Sequence, residues 1–371
     1  MSERLFPAEF VLPGHPDKLC DAIADALVVE AVRREAKALV GVEVAVHRDR
    51  VFVTGRIGCE GAQDIDVAGV VREVYRSAGY GDAWSPTPAA LRIDTDLCLG
   101  PLLEGEAEFR VVSDDQVICV GYAVDRPETN WLPVEQWLVA RLARRLYALR
   151  DEQPELGLGP DGKVLVMVAE DAQGWALERC SCSLQQHAGA DGVALHRAAR
   201  LLVENELARM TGELRGLSAA MPGELLVNGA GDFEFGGPEG DNGLSGKKLV
   251  MDAYGPRVPI GGGAWSGKDF YKADRSGAIH ARRLAKLMVV TGLAPEAVVT
   301  LALAPGDREP RVLRVDGSPG GMAATRRCQS LLRGGLAHGG ERWSGDPALV
   351  EIARWGHFGN SRAKWEDLGR L

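Results

Sequence analysis

The chain has 371 residues, of which 46% are hydrophobic and 26% charged, enough to bury a large core and to build two or three compact units. A formal net charge of -9 argues against a sequence-independent nucleic-acid surface and against an acidic-membrane surface, because both need a basic face. No apolar run approaches the roughly 18 residues needed to span a bilayer, and the opening "MSERLFPAEF" has no signal-peptide hydrophobic region, so a cytoplasmic location is expected.

Taken in chain order, "PGHPDK" leads into a helix over Leu19–Val32, with Leu19, Ala22, Ile23, Ala26 and Val29 on one stripe and Pro16 and Asp17 suited to its entrance. "LVGVEVAVH" and "VFVTGRI" flank "RDR" and read as an antiparallel hairpin. A helix over 66–78 and a short strand at "ALRID" follow, and "LGPLLEGEAEFRVVSDD" is turn-rich, a connecting or mobile segment. "QVICVGYAV" reads as a strand, "VEQWLVARLARRLYALR" as a helix, "VLVMVAE" as a strand and 195–215 as a helix. The last third holds "ELLVNGAGDFEFGGPEGDNGLSGKK", a strand at "LVMDAY" and a helix over 275–291 stopped by Gly292. Mixed strands and helices without strict alternation predict an α+β architecture of three similar units, over 1–98, 110–230 and 231–371. The seven cysteines give no disulfide framework and suit a reducing compartment, and Cys180 and Cys182, lacking a second ligand pair at zinc spacing, are expected as buried strand residues.

Two nucleotide motifs fail on context. Gly262, Gly267 and Lys268 follow most of the Walker A pattern, but Asp269 stands where Ser or Thr should hold magnesium, and the glycines follow the turn "YGPRVPI" rather than a strand. Gly157, Gly159 and Gly162 spell the dinucleotide fingerprint, yet the strand "KVLVMVAE" follows where a helix must receive the pyrophosphate. What survives is chemistry: glycines that let backbone N–H groups approach an anion, lysines as mobile cations, and carboxylates able to hold a metal, which together point to polyphosphate with Mg²⁺.

Six stretches, "GHPDKLCDAIADALV", "DDQVICVGYA", "GPDGKV", "GGPEGDNGLSGKKLVMDAYG", "GGGAWSGKDFYKADRS" and "WGHFG", resemble those of the S-adenosylmethionine synthetases in kind and in order, across almost the whole chain. The resemblance implies three α+β domains with approximate internal threefold symmetry and a homodimer, or a dimer of dimers, with active sites between subunits. It implies that methionine sulfur attacks C5′ of ATP and displaces triphosphate, which is then cleaved, with two Mg²⁺ and one K⁺ assisting. By this resemblance His15 lies beside the C5′ oxygen; Lys163, Lys247, Lys248, Lys268 and Lys272 cradle the triphosphate; Asp17 and Asp274 bind Mg²⁺; Glu43 and Ser266 match the K⁺ site; Asp115 matches the carboxylate near the developing sulfonium; and Gln116 is expected among the ATP-binding residues. Phe233 matches the aromatic that stacks on adenine, and Asp241 an acid near methionine and ribose. Read without the resemblance, His15 and Asp274 are helix caps, Lys247 and Lys248 a solvated turn, and Phe233 a core residue.

The sequence departs from the family in the acceptor half. "VSDDQV" replaces "GAGDQG", "GRIG" replaces "GEIT" and so puts Arg56 where a glutamate receives the methionine ammonium, and "TDLCLGPLLEGEAEF" occupies the gating-loop region. Lys247 and Lys248 stand where the family has an arginine-lysine pair, giving up one bidentate phosphate grip. An ammonium facing a guanidinium instead of a carboxylate loses several kcal/mol at an effective dielectric of about 20 unless the arginine turns away. Three readings follow: methionine in a rebuilt pocket, a different small nucleophile or water as acceptor, or a non-catalytic regulatory paralogue. Retention of His15, Asp17, Lys163, Lys268, Lys272 and Asp274 together opposes the last.

Overall fold

The structure, a computed structural model, describes residues 4–317, 321–332 and 334–369. In chain order the strands are Arg4–Val11 (β1), Leu39–His47 (β2), Arg50–Gly58 (β3), Arg92–Gly100 (β4), Val117–Val124 (β5), Leu158–Glu170 (β6), Trp175–Gln186 (β7), Glu224–Val227 (β8), Gly243–Leu244 (β9), Glu296–Leu303 (β10) and Arg311–Asp316 (β11). The helices are Pro16–Arg34 (α1), Val67–Ser77 (α2), Val134–Glu152 (α3), Gly192–Glu213 (α4), Leu249–Asp252 (α5), Ala273–Val290 (α6), Gly321–Leu331 (α7), Leu336–Trp343 (α8) and Leu349–Trp355 (α9). The strands form three small sheets, ordered β4-β3-β2-β9, β1-β6-β7-β8 and β11-β10-β5, so the fold is α+β as expected.

Sheet membership does not follow the contiguous units 1–98, 110–230 and 231–371. Each segment lends a strand to a sheet of another: β1 pairs with β6, β5 with β10, and β9 with β2. The physical reason is that a strand pairs wherever its apolar face and backbone groups are matched, and short adjacent segments have no monopoly on that match.

The hairpin of β2 and β3 forms in the expected place, antiparallel from Leu39↔Gly58 to His47↔Arg50. Beyond it, β4 runs parallel to β3, with Arg92 opposite Arg50 and Gly100 opposite Gly58. Parallel pairing needs a crossover of a dozen or more residues, and the stretch containing α2 supplies it. The expected strand at "LVMDAY" is overturned. Leu249–Asp252 is a single helical turn ended by Gly255 at φ 74, because Met251 and Asp252 must be buried facing α3 and α1. There the Met251 carbonyl accepts from Gln136, and Asp252 pairs with Lys18.

Among the described residues two apolar clusters form the core. One lies around α1, α2 and α6 beneath the β2- and β10-containing sheets, and the other packs α3 and α4 against the β6–β7 sheet. Cys180 and Cys182 are fully buried in β7, and β6 begins at Leu158, inside the glycine fingerprint.

Candidate functional site

The His15 loop is built by β1 and β6. Val11 pairs with Lys163 across the sheet, Leu12 donates its N–H to the Gly162 carbonyl (2.9 Å), and Gly14 donates to that of Pro160 (3.1 Å). A Cβ on Gly14 would lie 2.5 Å from the Pro160 backbone, so glycine lets the loop press onto β6. Pro16 then opens α1 and His15 caps it, its Nδ1 accepting the Asp17 N–H at 3.2 Å. A ring nitrogen that accepts carries no proton, which places the imidazole proton on Nε2. His15 is only 1% exposed, and Nε2 has no partner among the described residues. Burial lowers the imidazole pKa to about 3; Asp17 pulls the other way, while the charges of Lys163 and Lys248 add to the lowering. The ring is therefore a neutral, desolvated N–H donor. Capping and a free donor coexist because they use different nitrogens.

A feature the motif reading missed is a ladder on α1. Asp17, Asp21 and Asp25 are four apart and so share one helical face. Their carboxylates accept, in turn, the backbone N–H of Leu244 (3.0 Å), Gly246 (2.8 Å) and Gly267 (3.0 Å). One helix thereby sets the register of both glycine-rich segments. Both also lie along the same edge of β2: Ser245 donates to the Val44 carbonyl (3.0 Å), and Val42 donates to the Gly267 carbonyl (2.9 Å). Two residues of strand separate these points, about 7 Å. A Cβ on Gly246 would come within 2.5 Å of the Ala264 side chain, so the segments touch.

The lower rungs are locked by buried cations. Lys18 bridges Asp21 (3.1 Å) and Asp252 (2.5 Å). Arg275 pairs with Asp25 (2.6 Å), donates to the Lys268 carbonyl (2.7 Å), and lies 3.0 Å from Nε2 of His357. His357, in "GHFG", is thus a buried part of the support. The signal that could have found the ladder was the four-residue spacing of three aspartates in the first half of α1.

The candidate anion ligands fall into two groups. Around His15, Lys248 pairs with Asp17 at 2.9 Å, Lys247 lies 3.8 Å from the same carboxylate, and the charges of Lys163 and Asp241 reach the imidazole. Burial raises the Asp17 pKa, but the hydrogen bonds from Lys248 and from the Leu244 N–H outweigh it and hold the carboxylate below its usual range. At the entrance to α6, Lys268 contacts Asp274 and Lys272 contacts Asp114. Asp114, not singled out from sequence, takes the lysine, while the Asp115 carboxylate accepts from the N–H of Gln116 (2.7 Å) and Gln116 itself is exposed. Among the described residues no hydrogen bond or ion pair joins Lys268 or Lys272 to His15. Phe233 is half-buried, its carbonyl accepting the Gln186 N–H at 2.9 Å, and Asp241 is exposed.

Metal ligands are sparse. Among the described residues no group of three or more His, Cys, Asp or Glu converges as a cage. Asp17 and Asp274 each offer a carboxylate beside lysines, a donor set that fits Mg²⁺ arriving with phosphate oxygens, since Mg²⁺ is commonly held by one or two carboxylates plus substrate phosphates. Glu43 accepts from the hydroxyl of Ser245 (2.5 Å), and the hydroxyl of Ser266 is buried without a partner among the described residues, where no hydrogen bond brings Glu43 and Ser266 together.

Arg56 resolves its own anomaly. It donates Nε (3.1 Å) and Nη2 (2.9 Å) to the Glu106 carboxylate, and further N–H groups to the carbonyls of Ile57, Cys98 and Pro101. The hydrogen bonds from Arg56 outweigh burial and hold Glu106 below the usual carboxylate range. The charge reversal introduced at "GRIG" is cancelled by a carboxylate from the altered loop. Arg110, at the far end of that loop, pairs with Asp269 (2.8 Å) and donates to the Ala38 carbonyl (3.0 Å). The segment read as connecting or mobile is thus pinned at both ends.

Comparison with known proteins gives one answer. Residues 3–92 match the family model "S-adenosylmethionine synthetase, N-terminal domain" and residues 235–367 match "S-adenosylmethionine synthetase, C-terminal domain". The S-adenosylmethionine synthase of Desulforudis audaxviator is 33% identical, over 100% of this chain and 97% of that protein. Those of Prochlorococcus marinus and Thermus thermophilus are 32% and 33% identical, over 100% and 99% of this chain and 98% and 97% of theirs. With both terminal domains matched and relatives above 30% identity along the full length, the chain belongs to the S-adenosylmethionine synthetase family.

Proposed function

We propose that this protein makes S-adenosylmethionine, the sulfur of methionine attacking C5′ of ATP and expelling triphosphate. The observation that carries the reading is the buried, neutral His15 with a free Nε2–H beside Lys163 and Lys248. A triphosphate leaving a primary carbon gathers negative charge on its bridging oxygen, and preorganised donors aimed at developing charge are the strongest device available to such a site. His15 donates to that oxygen without first having to lose solvent. Lys163, Lys247, Lys248, Lys268 and Lys272 hold the phosphates, and Asp115 offers a carboxylate to the new sulfonium. Phe233 stacks on the base and Asp241 faces the methionine and ribose.

Mg²⁺ at Asp17 and Asp274, and K⁺ at Glu43 and Ser266, supply charge neutralisation for the phosphates when bound. The pairing of Arg56 with Glu106 removes the main argument for an acceptor other than methionine.

The catalytic unit in this reading is a homodimer, or a dimer of dimers, in the cytoplasm. Strand residues Leu5, Phe52, Ile118 and Leu313 are exposed on the sheets, which supports a partner surface. No described helix is long and apolar enough to cross a membrane.

The test is incubation of the purified protein with ATP, Mg²⁺, K⁺ and methionine, with products identified by mass. S-adenosylmethionine is expected, and Lys268→Ala should slow triphosphate release at least tenfold. Only unreacted ATP or free adenosine, or release untouched by that substitution, would reject the assignment.

A further inference from the structure

The second half of α6 leads away from the lysine site to a separate cavity of about 380 Å³, closed by the end of α7, by α8 and by Leu368. That volume lies in the range of small-molecule sites. One side is aliphatic, formed by Leu284, Leu287, Leu331 and Leu332. The other carries Arg283, Arg342, His280 and His338, with no acidic residue in the lining among the described residues.

The two arginines are not neutralised locally. Arg283 donates to the backbone carbonyls of Trp365, Asp367 and Leu368 and, among the described residues, to no carboxylate. Arg342 makes no ion pair among the described residues. Burial lowers the pKa of Arg283 to about 10, and the charge of Arg342 adds to the lowering, although Asp367 and Glu366 oppose it. Trp343, 1% exposed, lines the same cavity, and its indole Nε1–H is buried with no acceptor among the described residues. A buried donor without a partner is destabilising, and an acceptor entering the cavity recovers that loss. By contrast, Arg141 and Arg145 on α3 are already paired with carboxylates, those of Glu206, Glu213 and Glu152.

We propose that this cavity binds a small amphipathic carboxylate, its head meeting Arg342, Arg283 and the Trp343 indole and its hydrocarbon body lying against the leucines. Such a ligand buries its apolar surface against the aliphatic wall and gives the arginines a planar acceptor that matches their geometry.

The test is calorimetric titration of the full-length protein with sodium octanoate, with octyltrimethylammonium as the oppositely charged control. Octanoate should bind with submillimolar affinity, and the cation should not bind. Arg342→Glu, on the exposed rim, should weaken octanoate at least tenfold, and Leu287→Trp, which fills the aliphatic side, should do the same while Arg342→Glu guards against a folding artefact. The basal reaction without octanoate should be unchanged in Arg342→Glu. The proposal is overturned if wild-type protein gives no octanoate binding at millimolar concentration, if both variants bind as well as wild type, or if the cation binds equally.

Discussion

Replacing Glu106 by glutamine removes one negative charge and leaves nearly the same shape. In the folded protein its carboxylate receives two N–H groups from Arg56, at 3.1 and 2.9 Å, and the N–H of Leu103 at 2.6 Å. Glutamine keeps one acceptor oxygen and presents an NH₂ to a guanidinium that cannot accept. Two charges about 4 Å apart attract by about 4 kcal/mol at an effective dielectric of 20, which is the upper end. Exposed pairs measured by mutation give about 0.2–1 kcal/mol, which is the lower. The Arg56 and Glu106 side chains are 19% and 16% exposed, so the pair belongs between these limits, at about 2 kcal/mol.

If that energy serves chiefly to neutralise Arg56 beside the amino-acid ammonium, its loss appears as weaker methionine binding, about 30-fold in KM by the usual 1.4 kcal/mol per decade. The assay is steady-state S-adenosylmethionine formation with methionine varied at saturating ATP, then ATP varied at saturating methionine. The expected outcome is a raised KM for methionine with the KM for ATP changed less than threefold. An unchanged methionine KM, or equal effects on both substrates, would show that the pair only holds the loop and that the acceptor pocket lies elsewhere.

His15→Ala should reduce kcat by about 10²–10³, the usual cost of removing one preorganised donor, and His15→Asn, whose amide can still donate, should recover part of it; equal losses in both would sink the donor role. Because burial holds His15 neutral down to about pH 3 and His280 to about pH 4, the unfolded chain binds more protons than the folded one below the ordinary histidine value. Stability should therefore be full above about pH 6.5 and fall as pH drops from there towards 4, by about 1.4 kcal/mol per unit for each such histidine; a urea midpoint flat between about pH 6.5 and 5 contradicts this. Asp25→Ala strands Arg275 and the Gly267 N–H in the interior, and removing one partner of a buried pair costs about 3–5 kcal/mol. Urea unfolding measured against wild type should show a loss of that order, and a loss under about 1 kcal/mol would mean that the aspartate ladder is not what registers the glycine-rich segments.

Legibility differed between the parts of the site. The helix after "GHPDK", the β2–β3 hairpin and α6 were readable because their periodicity and end signals lie within a dozen residues. The one-turn helix at Leu249–Asp252 was not, since its β-branched and aromatic neighbours favour a strand and only the burial of Met251 and Asp252 against distant partners reverses that preference. Arg56 could be recognised as anomalous, but its partner Glu106 is fifty residues away in a segment without periodicity, and nothing local couples the two. Asp114 and Asp115 are adjacent and chemically identical, so sequence alone could not say which would meet Lys272.

By itself the sequence carried a chemical expectation: a histidine before a helix, five lysines and two carboxylates in glycine-rich surroundings, which point to a polyphosphate partner. Those properties follow from residue type and short-range spacing. Only the tertiary structure decided that three aspartates of α1 align both glycine-rich segments on one edge of β2, that strands are exchanged among distant parts of the chain, and that Arg56 is neutralised. The reason is that backbone pairing and ion pairing act over a few ångströms of space and are indifferent to separation along the chain.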